Sequence, residues 1–178
     1  DALEAGLAYL PLAGTIIVSA GVASQLATRL GFKPVLIGGL ALLTAALLWF
    51  SQVSVDGSYV GDVLFPSLVA GAGLGFAFVP VTIGAVAGTK PEEAGLASGL
   101  INTSQQVGGA LGLAVLSTVA FSGISSTRPD PVALTAGFGD AFLVGAAFAA
   151  VAVLIAVFAI RSADSRAMRD MEAAPVAG

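Results

Sequence analysis

Five stretches of this sequence run without a single charged residue: Ala5–Thr28, Pro34–Val55, Val63–Thr89, Ala94–Thr127 and Ala141–Ile160. Each reaches the roughly 20 residues that an α-helix needs to cross a hydrocarbon core at about 1.5 Å per residue. Inside lipid every peptide group must find its hydrogen bond within the protein, and a helix does this segment by segment. A barrel strand would need only about ten residues with strict polar–apolar alternation, and these runs are longer and do not alternate. The chain is 57% hydrophobic and 10% charged, whereas water-soluble domains carry about 25% charged residues. The sequence therefore predicts an all-α fold, a polytopic transmembrane helical bundle of five spans. The expected spans are 5–28, 34–52, 63–88, 92–122 and 140–160, with residues 1–161 forming the bundle. Residues 162–178 are polar and expected to form a disordered cytoplasmic tail. The first partner of such a chain is the lipid bilayer.

Several functions are excluded by residue usage. There is no cysteine and no histidine, which removes disulfides, thiolate chemistry, zinc-hydrolase spacings and imidazole catalysis. No span carries a plausible nucleophile–base pair, so no enzyme, no cofactor and no metal site is expected. The seven basic residues are confined to loops and tails, which offers nothing to a nucleic acid.

Those basic residues orient the chain. Arg29 and Lys33 fall between spans 1 and 2, Lys90 between spans 3 and 4, and Arg161, Arg166 and Arg169 after span 5. The opposite side holds only Arg128. The positive-inside rule puts the larger group in the cytoplasm, so the N-terminus lies outside and the C-terminus inside. Tyr9, Trp49 and Tyr59 fall near the outer face, where an interfacial aromatic belt belongs. The chain opens on Asp1, and "DALEAG" reads as a loop entering a helix; earlier spans are expected upstream. Abundant Ala and Gly fit a GC-rich bacterial genome, hence a multi-pass protein of the bacterial plasma (inner) membrane.

Polarity then ranks the spans. Span 5 holds no Ser, Thr, Asn or Gln, and span 2 only Thr44 within Pro34–Phe50. Both are expected at the periphery, facing lipid. Span 1 carries Thr15 and Ser19, four residues apart, and span 3 carries Thr82 with Phe76 and Phe78 nearby. Span 4 is the polar one. Its stretch "SGLINTSQQVGGALG" sets Ser98, Asn102, Gln105, Gln106 and Gly109 on or beside one helical stripe. Entering near Glu93, the amides lie roughly 14–20 Å deep at about 1.5 Å per residue, near the bilayer middle. Amides there are costly unless they meet partners or water. Either they line a cavity or they bond helices together.

Glycine, proline and the acids have plainer readings. Gly71/Gly75, Gly95/Gly99 and Gly108/Gly112 are small-xxx-small pairs that let helices approach closely. "GAGLG" inside an uncharged run lacks the strand–turn–helix setting of a dinucleotide loop. Pro80 removes a hydrogen bond within span 3 and is either a static bend or a hinge. Glu92 and Glu93 suit the positive end of span 4, and Asp62 and Asp140 read as acids at outer helix entrances. No acid or base falls in mid-membrane, so a proton carrier must come from elsewhere.

"PEEAGLASGLINTSQQVGGALGLAV" resembles the penultimate helix of the 14-span drug:proton antiporters of the major facilitator superfamily. "LEAGLAYLPLAG" is similar to the loop and helix entry after that family's ninth span, and "LFPSLVAGAGLGFAFVPVTIGA" to its twelfth. "SQLATRLGFKPVL" resembles the second-half copy of the superfamily's cytoplasmic loop motif, with Arg29, Gly31 and Lys33 on its basic and glycine positions. Thr28 stands where that motif has an acid and Ser24 where it has a glycine. The resemblance implies a partial C-terminal half of the fold, a fragment lacking nine spans and the whole N-terminal half. It also implies a proton-driven exporter of hydrophobic small molecules by alternating access, its protons carried by residues outside this sequence. Ser98, Asn102, Gln105, Gln106, Phe76, Phe78, Thr82, Thr15 and Ser19 are the expected substrate-path residues. Pro80, Gly71, Gly75, Gly95, Gly99, Gly108, Gly109 and Gly112 are the expected hinge and packing positions. The alternatives are a facilitator for another solute and a non-transport membrane scaffold or assembly subunit.

Overall fold

The computed structural model describes residues 2–86, 89–124 and 130–160. They form five long helices: α1 (Ala2–Leu30), α2 (Phe32–Phe50), α3 (Phe65–Val86), α4 (Ala94–Phe121) and α5 (Pro131–Phe158). A π-helical turn, Tyr59–Leu64, leads into α3 and a 3₁₀ turn, Pro91–Glu93, into α4. All five are long and apolar enough to cross a membrane. The expected tail at 162–178 and Arg128, Arg161, Arg166 and Arg169 lie outside the described residues.

Local chemistry sets the helix ends. Gly31 alone separates α1 from α2, with φ 87°, a left-handed value that strains any residue bearing a Cβ. Its N–H bonds the Ala27 carbonyl at 2.9 Å, closing α1 as α2 begins. α5 begins at Pro131, nine residues before the expected start at 140, and Asp130 caps it by accepting from Val132 N–H. Proline at the first helical position and aspartate at the cap outweigh the single Asp140, which stands on the exposed surface of the helix rather than at its entrance. The π turn before α3 has a similar origin. Pro66 offers no N–H, and its ring crowds the carbonyl four residues back, that of Asp62. The preceding turn widens, so Phe65 N–H reaches the Val60 carbonyl five residues back.

Packing is by small residues. α3 is central: it lies against α1 on one side and α2 on another, while α5 packs on α2 and α4 on α5. A Cβ built on Gly39 would stand 2.5 Å from Phe76 C and 2.6 Å from Ala77 N, so α2 and α3 touch backbone to backbone. Gly73 makes the reciprocal contact, its would-be Cβ 2.6 Å from Leu43 N. Gly71 and Gly75 seat α1, against Leu12 and Thr15 and against Ile16, Ser19 and Ala20. Gly137 fits α5 under the Ala120 carbonyl of α4. Such approaches are how helices gain van der Waals contact where lipid removes the hydrophobic drive between them.

One end of the α2–α5 contact is fastened by charge. Lys33 Nζ donates to the carbonyls of Val157 and Ile160, at 2.8 and 2.6 Å, at the end of α5. The last carbonyls of a helix have no intrahelical donor and carry its negative partial charge. A lysine answers both needs.

α2 and α5 were expected at the periphery, facing lipid. Among these five helices α2 packs between α3 and α5, and α5 between α2 and α4, and each keeps an outward face. They bury Gly39, Ala46, Gly139, Ala141, Gly145, Ala146, Ala149 and Ala156 on their packed faces. Leu42, Leu48 and Trp49 of α2 and Val151, Leu154 and Phe158 of α5 face outward. Absence of polar groups means that a helix needs no wet face; it does not limit the number of its neighbours.

Candidate functional site

The stripe on α4 keeps its polar groups free of the other helices. Ser98 and every residue from Asn102 to Ala110 are exposed. The side chains of Asn102, Gln105 and Gln106 make no hydrogen bond among the described residues, while Thr103 Oγ1 donates to its own helix at Gly99 O, 2.9 Å. The part of α4 that packs is further on, where Leu113, Leu116, Ser117 and Ala120 meet Phe138, Ala141 and Gly145 of α5. Nothing lies within 4 Å of a would-be Cβ at Gly95, Gly99, Gly108, Gly109 or Gly112. α4 thus presents a stripe of small residues and unpaired amides over its first four turns. The groups that would make these amides interhelical bonds are absent from the described helices.

The other expected path residues divide. Thr15 and Ser19 lie in the α1–α3 seam, Thr15 with its hydroxyl bonded to Pro11 O at 2.7 Å and Ser19 buried against Gly75. Phe76 turns away from the stripe and lines a small cavity with Leu26, Leu30 and Leu42 between α1 and α2. Phe78 is 61% exposed on the opposite surface of α3, with Thr82 beside it bonding Phe78 O at 2.9 Å. Phe78 and Thr82 therefore share an open face of α3, and Phe76, Thr15 and Ser19 do not. Pro80 is fully buried in an unbroken α3, against a cavity lined by Phe32, Leu36 and Ile160. Arg29 is exposed in the last turn of α1, Gly31 makes the turn and Lys33 holds α5.

Polar groups left exposed near the middle of a membrane-length helix mark a surface completed by something else. Comparison with known proteins says in what kind of molecule. The family model of the Major Facilitator Superfamily matches residues 1–113. The chain belongs to that superfamily. Among curated major facilitator proteins it is 37% identical over 159 residues to the cephamycin export protein CmcT of Amycolatopsis lactamdurans, covering 88% of this chain and 32% of that protein. It is 33% identical over 169 residues to the puromycin resistance protein pur8 of Streptomyces alboniger, covering 90% and 34%. The tetracenomycin C resistance and export protein of Streptomyces glaucescens is 37% identical over 128 residues, covering 72% and 24%. The chain spans about a third of the length of the first two relatives. Its superfamily is one of transporters rather than enzymes, and the relatives named here are export and resistance proteins.

Sequence reading singled out the α4 stripe and named Gly71 and Gly75 as packing positions, but it missed Gly39, Gly73 and Gly137. Gly39 and Gly73 were legible only as a glycine pair and a glycine-rich run, and which faces meet depends on helix rotation. The exposed face of α3 was equally hidden, because Phe76 and Phe78 look alike until the helix is turned against α2.

Proposed function

We propose that this chain forms the C-terminal part of a proton-driven exporter of hydrophobic, antibiotic-like small molecules that works by alternating access. The observation that carries the proposal is the row Asn102, Gln105 and Gln106, unpaired among the described residues and near the middle of a membrane-length helix. A transporter site at the midplane needs a few adaptable hydrogen-bonding groups in a largely apolar wall. Amides supply that adaptability without the desolvation cost of a fixed charge. Phe78, exposed on α3, adds an apolar surface for the same path. The names of the relatives just described support export of antibiotics as the direction and cargo. The basic residues Arg29, Lys33 and Lys90 put the Lys33 end of the bundle in the cytoplasm and the Tyr59 end outside. The bundle's missing partners are the spans that make up the rest of the relatives' length, and the proton carrier belongs to them.

The test is Asn102→Leu and Gln105→Leu in the membrane protein, read as export of a panel of antibiotics from everted vesicles. An interhelical amide bond is worth only about 0.6–2 kcal/mol, so the variants should stay inserted. A solute whose polar group loses its partner should shift about three- to thirty-fold in affinity. The expected result is a changed ranking of exported compounds. An unchanged ranking with lowered thermal stability would make the stripe helix glue and refute the proposal.

A further inference from the structure

α1 and α2 are joined by Gly31 alone, yet beyond that turn they scarcely touch, and each lies instead on α3. Between them is an open groove of about 200 Å³, walled by Leu26 and Leu30 of α1, by Pro34, Gly38 and Leu42 of α2, and by Phe76 of α3. Every lining residue is apolar. The volume falls below the roughly 300–1,000 Å³ of pockets that take drug-sized compounds. Pro34, Gly38 and Leu42 recur every fourth residue and are exposed, so the groove runs about 12 Å along α2 from the Gly31 turn, at about 1.5 Å per residue. That is most of one leaflet of a hydrocarbon core about 30 Å thick. The shape suits a chain, not a compact solute.

Gly38 keeps the groove open. A glycine inside a helix weakens it relative to alanine, so its presence calls for a reason. Gly39 has one, since a Cβ there would strike the backbone of α3. Gly38 has none from the protein: nothing among the described residues lies within 4 Å of its would-be Cβ. An occupant of the groove would supply the reason.

A cation stands at the turn end. Arg29 is exposed in the last turn of α1, three residues after Leu26 and so on the same side of the helix. It makes no hydrogen bond or ion pair among the described residues. Lys33, at the same end, is already engaged with the carbonyls that close α5. An arginine stem lies readily along apolar surface while its guanidinium stays among the headgroups, and that guanidinium pairs in two-pronged fashion with phosphate. A zwitterionic headgroup brings its own cation to the phosphate, whereas an anionic one leaves its charge for Arg29. We infer that the groove holds one acyl chain of an anionic diacyl phospholipid, with the lipid's phosphate on Arg29. The inference goes beyond the export reading and rests on it only for the cytoplasmic leaflet as the lipid's source.

The whole transporter, purified in detergent, can be titrated with phosphatidylglycerol and phosphatidylcholine of identical chains, and the retained lipids counted by native mass spectrometry. The wild type should hold one phosphatidylglycerol in preference to phosphatidylcholine. Arg29→Gln should weaken that phosphatidylglycerol about fivefold, the equivalent of about 1 kcal/mol for an arginine near the membrane surface, and leave phosphatidylcholine unchanged. Arg29→Lys should keep most of the preference. Gly38→Leu fills the groove without meeting protein, so it should remove the bound lipid while its thermal midpoint in lipid-free detergent holds. Arg29 is exposed, so Arg29→Gln decides the case even if Gly38→Leu does not fold. Unchanged phosphatidylglycerol retention in a folded Gly38→Leu would overturn the site and leave Arg29 an ordinary surface charge. A lowered midpoint with an unchanged lipid count would assign the groove to a further span and also overturn it. Arg29→Gln that weakens both lipids equally, or neither, would refute the anionic headgroup. Because no transport is read, a failure of export leaves this site standing, and loss of the site leaves the export reading untouched.

Discussion

Adjacent glycines in α2 should respond to the same substitution with opposite sign. At Gly39 an added Cβ meets Phe76 C at 2.5 Å, Ala77 N at 2.6 Å and Phe76 Cβ at 2.9 Å. Carbon atoms rest about 3.5–4.0 Å apart, so α2 and α3 must separate by roughly 1 Å at their crossing. A gap of 0.5–1 Å already forfeits about a quarter to a half of each dispersion well along the seam. Overpacking of this kind costs about 1–3 kcal/mol, and the neighbour here is main chain, which cannot rotate away. Against this stands about 0.5–1 kcal/mol gained when alanine replaces glycine inside a helix. Gly39→Ala should therefore lose roughly 0.5–2 kcal/mol. Gly38 has nothing within 4 Å of its would-be Cβ, so Gly38→Ala should keep only the gain. The chain has no cysteine and a single tryptophan, Trp49 at the end of α2, so the heat-induced change in Trp49 fluorescence in detergent is a suitable assay. The midpoint should fall by several degrees for Gly39→Ala and rise or hold for Gly38→Ala. Equal shifts would refute the backbone contact between α2 and α3. Because Gly73 presses on the same crossing, Gly39→Ala/Gly73→Ala should cost less than the sum of the single variants.

Other consequences are open to measurement. Lys33→Met removes two charge-assisted bonds to the end of α5, and at the protein's edge solvent reduces their worth to about 1–2 kcal/mol; a lowered thermal midpoint should result, and an unchanged one would make the contact incidental. If Pro80 is a hinge, Pro80→Ala should slow export more than it weakens drug binding, whereas normal turnover would leave it a static bend in α3. Gly108→Ala meets nothing among the described residues. A loss of stability for this variant in the whole transporter would reveal a further span on that face of α4, and a small gain would show that the face is open.

Much of the architecture could be read directly from the order of residues, and the reason is physical. Backbone in lipid leaves no choice but long helices, so Arg29 and Lys33, Lys90 and Glu92 bracket spans that the structure also contains. Boundaries were less legible where local chemistry opposed charge. Asp140 suggested an entrance, while Asp130 and Pro131 had already started α5. Side-chain partners were least legible. Hydropathy does not register the rotation that buries Gly39 and Gly73 and exposes Phe78, nor that α2 packs on its neighbours through glycine and alanine. The α4 amides were found because polarity at mid-membrane depth is improbable in any other setting. Asp62, read as a helix-entrance acid, lies in the π turn that leads into α3.

The central claim is that the α4 stripe borders an aqueous substrate path. With no native cysteine in this chain, single cysteines at 102, 105 and 106, and at Leu100 and Leu111 on another face of α4, can be probed in the whole transporter with a membrane-impermeant thiol reagent. The account expects labelling at 102, 105 and 106 that an exported drug suppresses, and little labelling at 100 and 111. Stripe positions that resist the aqueous reagent, with or without drug, while reacting with a lipid-phase reagent would contradict it.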